Sequence, residues 1–163
     1  MLLVYRFLPI TRGVKRFPEQ HNHNMKKPKR RPRVLLADDF PAVREQVQVL
    51  LGEDFDVVAS APDGQKALRL AMSLDPDILV LDICMPILSG IQVVSKLRDS
   101  GFRGKCVILT ALQDKDYQDA AFANGALGFV LKSRVNSDLI PAIRAALEGH
   151  RFAFALAPLD CFA

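Results

Sequence analysis

Residues 77–82 read DILVLD, four aliphatic residues set between two aspartates, and ICMP follows at 83–86. A strand with one face in water would alternate apolar and polar residues. A run this continuous reads instead as a strand covered on both faces, the pattern of a parallel sheet packed between helices. Asp75-Pro76 marks the end of the element before it, because the residue preceding a proline is pushed out of the helical region.

The same signal recurs on either side. RVLLAD (33–38), DVVASA (56–61), CVILT (106–110) and GFVLK (128–132) are short runs rich in aliphatic and β-branched residues. Helical spacing fills the intervals. Pro41 suits a first helical turn, and Val43, Val47, Leu50 and Leu51 recur through 41–52. Ala67, Leu68, Ala71 and Met72 share a face after the Pro62-Asp63-Gly64 turn. Ile91, Val93, Val94 and Leu97 mark a helix from about 90 to 99, Lys115 to Asn124 a fourth with Gly125 as its cap, and Leu139, Ile140, Ile143, Ala146 and Leu147 a fifth over 137–148. Five strands alternating with five helices predict an α/β fold with a doubly wound parallel sheet, helices on both faces and ligands at the carboxyl ends of the strands.

Composition sets the boundaries. Of the net +4 over 163 residues, positions 1–33 carry ten Lys/Arg against Glu19, which leaves 12 basic and 17 acidic residues and a net of −5 over 34–163. Residues 1–32 read as a basic, disordered extension, 33–149 as the folded domain and 150–163 as a tail or truncated linker. Either Met1 or Met25 serves as the start, the latter leading into KKPKRRPR. An acidic body is not a DNA-binding surface, so no direct DNA contact is expected. Cys84, Cys106 and Cys161 are an odd number without a Cys-x-x-Cys pattern, which argues against a disulfide framework or zinc site and suits a reducing cytoplasm. Arg6 and Pro9 interrupt the opening apolar run, and neither a membrane span nor a signal peptide is expected.

Chemistry collects at the strand ends. Strand one delivers Asp38 and Asp39, strand three Asp82, strand four Thr110 and strand five Lys132. Any one aspartate there could simply cap a helix or turn the chain; their joint placement on one rim is harder to obtain by chance. Three carboxylates in one crevice repel unless a cation sits among them. A hard divalent ion such as Mg²⁺, which takes oxygen ligands, answers that need. A carboxylate also serves as a nucleophile towards phosphorus, with the metal, Lys132 and Thr110 neutralising the transferred group.

The set VLLADD (34–39), ILVLDICMP (78–86), VILTA (107–111) and GFVLK (128–132) resembles the receiver domain of bacterial two-component response regulators over about residues 33–149. Asp-Asp-Phe-Pro after strand one and Leu-Lys-Ser closing strand five are similar to its NarL-type branch. The resemblance implies a flavodoxin-like sheet of order 2-1-3-4-5. It implies Asp82 as phosphoacceptor and Mg²⁺ held by Asp38, Asp39, Asp82 and the backbone carbonyl of Cys84. Lys132 and Thr110 would contact the phosphoryl group, and Thr110 with Phe129 would form the switch. It also implies a sensor histidine kinase or phosphotransfer protein as donor, a downstream protein partner and, as an option, a homodimer.

Departures from that pattern carry their own expectations. Ser133 stands where many receivers have proline, a mark of the NarL-type branch. Phe129 lacks the hydroxyl of the usual tyrosine. Cys84 and Leu112 flank the approach of water to Asp82 without an amide or carboxylate to orient it, which suggests a long-lived acyl phosphate. The helix-turn-helix part usual in the branch is not seen, so either a single-domain regulator or a truncated transcription factor is expected. A non-phosphorylated pseudo-receiver is disfavoured because all five groups are present. A haloacid-dehalogenase-like enzyme wants an acid at position 84, and a nucleotide-binding protein wants a phosphate-binding glycine loop that no segment supplies.

Overall fold

The computed structural model of the protein describes residues 30–153. Its strands are β1 (Arg33–Ala37), β2 (Asp56–Ala61), β3 (Ile78–Leu81), β4 (Lys105–Thr110), β5 (Gly128–Leu131) and a two-residue β6 (Phe152–Ala153). All pairings are parallel, in the order β2-β1-β3-β4-β5-β6. Five helices intervene: α1 (Pro41–Leu51), α2 (Gly64–Leu74), α3 (Gly90–Asp99), α4 (Lys115–Asn124) and α5 (Val135–Leu147). Among the described residues, no helix is long and apolar enough to cross a membrane.

The unbroken apolar strands follow from two cores. Successive side chains point to opposite faces of a sheet. Leu35, Leu79, Leu81, Ile108, Phe129 and Leu131 thus join Ala67, Ala71, Val93, Leu97 and Ala121 on the α2–α3–α4 side. Val34, Leu36, Ile78, Val80, Val107 and Val130 meet Val47, Leu51, Leu139, Ile143 and Ala146 on the α1–α5 side. Local chemistry then sets the helix ends. Asp63 accepts from the Lys66 N–H at 2.7 Å, Ser89 and Gln92 form a reciprocal capping box, and Gly125 closes α4 at φ 109°.

Four features differ from the sequence expectation. The sheet has a sixth strand: after Gly149 turns the chain at φ 83°, Phe152 donates to the Leu127 carbonyl and pairs alongside Gly128. Two residues carry no periodicity, so this strand has no signature in the sequence. Helix α5 begins at Val135, two residues earlier than expected, continuing from a 3₁₀ turn over Lys132–Arg134. Met72 is 53 % exposed, because it lies about 100° round the helix from Ala71 and off the Gly64–Ala67–Ala71 stripe. Finally, the end of the basic extension is docked: Arg30 makes a bidentate pair with Asp77 at 2.8 and 2.9 Å, and the Pro32 carbonyl accepts from Asp56. The expectations for residues 1–29 and 154–163, including Cys161 and the choice between Met1 and Met25, lie outside the described residues.

Candidate functional site

Strands β1 and β3 are neighbours, and their ladder carries the two central acids to one level. The Asp82 N–H donates to the Ala37 carbonyl at 2.8 Å, and the Asp38 N–H to the Ala61 carbonyl at 3.1 Å. Asp38 and Asp82 are 4 % and 3 % exposed, and Asp39 is half-buried. One carboxylate oxygen from each of Asp38, Asp39 and Asp82 falls within a common 4.8 Å.

Lys132 reaches this cluster from the end of β5. Its Nζ lies 2.7 Å from Asp38 Oδ2 and 3.0 Å from Asp82 Oδ2. Burial alone would pull its pKa down, but the two carboxylates outweigh burial and hold it above the usual lysine value. One ammonium facing three carboxylates leaves the crevice short of positive charge. Asp39 Oδ1 and Asp82 Oδ1 are buried with no hydrogen-bond partner among the described residues, a costly arrangement for charged oxygens. An all-oxygen donor set with bare, inward-facing acceptors fits a hard divalent cation such as Mg²⁺ better than a soft, sulfur-seeking metal.

The loop after Asp82 is tightly bound to its surroundings. A Cβ on Gly90 would stand 2.1 Å from the Asp82 carbonyl oxygen, so only glycine lets the start of α3 approach that closely. Ile87 sits at φ 71°, a strained conformation for a β-branched residue, and is 69 % exposed. Cys84 in the same loop is exposed, whereas Cys106 is buried in β4 with its thiol pushed up to about 12 by burial.

Thr110 ends β4, fully buried, and its Oγ1 accepts the Leu112 N–H at 3.2 Å. Phe129 lies one strand over, paired in register with Ile108, and is fully buried with Leu112 packed against its cluster. The structure therefore gathers Asp38, Asp39 and Asp82 within 4.8 Å, sets Lys132 against Asp38 and Asp82, places Thr110 at the end of the neighbouring strand and turns Phe129 inward. Two neighbours escaped the sequence reading. Arg44 donates to the Asp38 carbonyl at 2.6 Å, and the Phe40 ring lies 5.8 Å from Lys132 Nζ. The available signal was a phenylalanine at the helix start before Pro41, where a capping Ser, Thr, Asp or Asn is the norm.

A doubly wound parallel sheet whose carboxyl edge holds an acid cluster bridged by the lysine of its fifth strand has the build of a receiver module. The chain belongs to the response regulator receiver domain family, which it matches over residues 34–144. It is 35 % identical over 118 residues to the nitrate/nitrite response regulator NarL of Escherichia coli K12, covering 71 % of this chain and 55 % of that protein. It is 36 % identical over 123 residues to the oxygen regulatory protein NreC of Staphylococcus aureus JH9, covering 74 % and 57 %. The chain thus spans little more than half the length of these relatives. Among solved structures, it is similar to a LuxR-family two-component response regulator from Aurantimonas sp. SI85-9A1, with 35 % identity, TM-score 0.72 and coverage of 76 % and 90 %. The response regulator domain of Thermotoga maritima CheB gives 28 % identity, TM-score 0.68 and coverage of 73 % and 98 %.

Proposed function

We propose that the chain accepts a phosphoryl group on Asp82 from a histidine kinase or phosphotransfer protein, in a Mg²⁺-dependent reaction, and signals through the resulting conformational change. The observation that carries this is the bare, buried Asp82 Oδ1 beside a second unpartnered acid oxygen on Asp39, with the Lys132 ammonium 3.0 Å from the other oxygen of Asp82.

In the transfer, a carboxylate oxygen of Asp82 attacks phosphorus in line with the donor's P–N bond. The O–P bond forms, the P–N bond breaks, and the departing imidazole keeps the electron pair and takes a proton. Asp38, Asp39, Asp82 and the Cys84 carbonyl would hold Mg²⁺, which when bound neutralises charge on the phosphoryl oxygens. Lys132 supplies the fixed positive charge of the chain itself, already aimed between Asp38 and Asp82.

The same geometry supports a switch built on Thr110 and Phe129. The Thr110 hydroxyl accepts from Leu112 and keeps its own hydrogen to donate. A phosphoryl oxygen on Asp82 offers it a charged acceptor, and drawing Thr110 towards it changes the packing next to Phe129. Because Phe129 has no hydroxyl, its inward position depends on packing alone. Output then runs through protein contacts made by the α4–β5–α5 face, with a downstream protein or a second copy as partner.

Incubation with acetyl phosphate and Mg²⁺ followed by intact-mass measurement tests the chemistry. Wild type is expected to gain roughly 80 Da, the mass of one phosphoryl group on a carboxylate, and Asp82→Ala to gain nothing. A wild type without the increment, or an Asp82→Ala variant with it, overturns the assignment. Thr110→Ala is expected to take up the group yet leave the Phe129 environment unchanged by NMR; a wild-type response in that variant contradicts the coupling.

A further inference from the structure

Helix α1 starts badly for a helix. Its N-cap is Phe40, which makes no side-chain capping bond, and the residue is left 60 % exposed. A Ser, Thr, Asn or Asp there would satisfy a helix N–H and remove apolar surface from water. The backbone at this point is fully committed: the Phe40 N–H donates to Asp38 Oδ1 at 2.9 Å, its carbonyl accepts from Arg44 at 3.3 Å, and Pro41 fixes the next φ. The Phe40 backbone is thus tied to the acid cluster, and its ring lies beside the Lys132 ammonium, 5.8 Å from the ring centroid.

The Lys132 side chain is 20 % exposed, and its two acidic partners, Asp38 Oδ2 and Asp82 Oδ2, account for two of the three directions in which an ammonium donates. An aromatic face within about 6 Å attracts a cation without competing for its N–H groups. We propose that Phe40 is a positioning residue for phosphoryl uptake: its ring holds the Lys132 ammonium over the acid pair, so that the charge need not be repositioned as phosphorus approaches Asp82. This rests on Asp82 being the acceptor. The ring acts through its π face, which separates it from mere coverage of the site by something apolar.

The test compares wild type, Phe40→Leu and Phe40→Tyr. Initial rates of phosphorylation by acetyl phosphate with Mg²⁺ avoid any protein donor, so docking contacts do not enter. Phe40→Leu keeps the apolar bulk and is expected to lose about two- to five-fold in rate, the equivalent of one exposed cation–π contact; Phe40→Tyr is expected to retain the wild-type rate. In metal-free protein, the ring-current displacement of the Lys132 Hε resonances should vanish in Phe40→Leu and persist in Phe40→Tyr, a readout independent of turnover. Equal rates in wild type and Phe40→Leu, or Lys132 resonances unmoved by that substitution, overturn the proposal while leaving Asp82 as acceptor. A wild type that takes up no phosphoryl group overturns both.

Discussion

Replacing Asp39 with asparagine should make the metal-free protein more stable, although it alters a residue of the site itself. The acid cluster contains three carboxylates and one ammonium, and one oxygen from each carboxylate lies within 4.8 Å of the others. At that separation and an effective dielectric of 20, each like-charge pair costs about 3.5 kcal/mol before screening. Lys132 contacts Asp38 and Asp82, not Asp39, so removing the Asp39 charge relieves repulsion without breaking an ion pair. Asp39 is half-buried, and solvent screening reduces the gain. About 1–2 kcal/mol is expected, a rise of about 3–8 °C in Tm for a domain of this size. Magnesium should reverse the ranking. At a hundredfold excess over Kd, a ligand that binds only the folded state stabilises it by about 2.7 kcal/mol, and Asp39→Asn forfeits most of that. Thermal unfolding in EDTA and in Mg²⁺ reads both effects. An Asp39→Asn protein that melts at or below wild type in EDTA, or that gains as much from Mg²⁺ as wild type does, refutes the charge balance.

Other perturbations separate packing from chemistry. Gly90→Ala places a methyl 2.1 Å from the Asp82 carbonyl oxygen, a backbone atom that cannot rotate away, and should cost about 2–3 kcal/mol in urea unfolding. Ile87→Gly, by contrast, relieves a residue at φ 71° and should stabilise by about 0.5–1 kcal/mol after the entropy cost of glycine. Burial tends to raise the Asp77 pKa, but the Arg33 N–H and the Arg30 guanidinium outweigh it and hold the carboxyl below its ordinary value. The stability it contributes is therefore present above about pH 4 and lost as pH falls through the depressed value. The gap between wild type and Asp77→Asn should accordingly close on acidification, and a gap independent of pH contradicts the pairing. Wild type should hold its acyl phosphate longer than the Cys84→Asn/Leu112→Glu double variant, since neither native side chain orients a water; equal decay by intact mass counts against that role.

Much of this architecture was legible because the sheet is buried on both faces. DILVLD and its four counterparts can be read as strands without knowing their partners, and the parallel crossover rule then carries the acids of β1 and β3 to one rim. Lys132 follows in the same way from the end of β5. What escaped the sequence depends on tertiary partners. The two residues of β6 are strand only because the Leu127 carbonyl and the edge of β5 are there to pair with. Arg30 belongs to a charge run that reads as solvated until Asp77 is seen opposite it. Met72 fits an apolar helix face by type and misses the core by one residue of rotation. Phe40 read as part of a family motif, and only the fold shows its ring beside Lys132.

The most direct measurement locates the phosphoryl group itself. After phosphorylation, borohydride reduction converts an acyl phosphate into an alcohol, and peptide mass mapping then identifies the modified residue. With Asp82 as acceptor, homoserine appears at position 82 and positions 38 and 39 remain aspartate. Reduction at Asp38 or Asp39, or no reduced residue in a protein that carries the added mass, would contradict it.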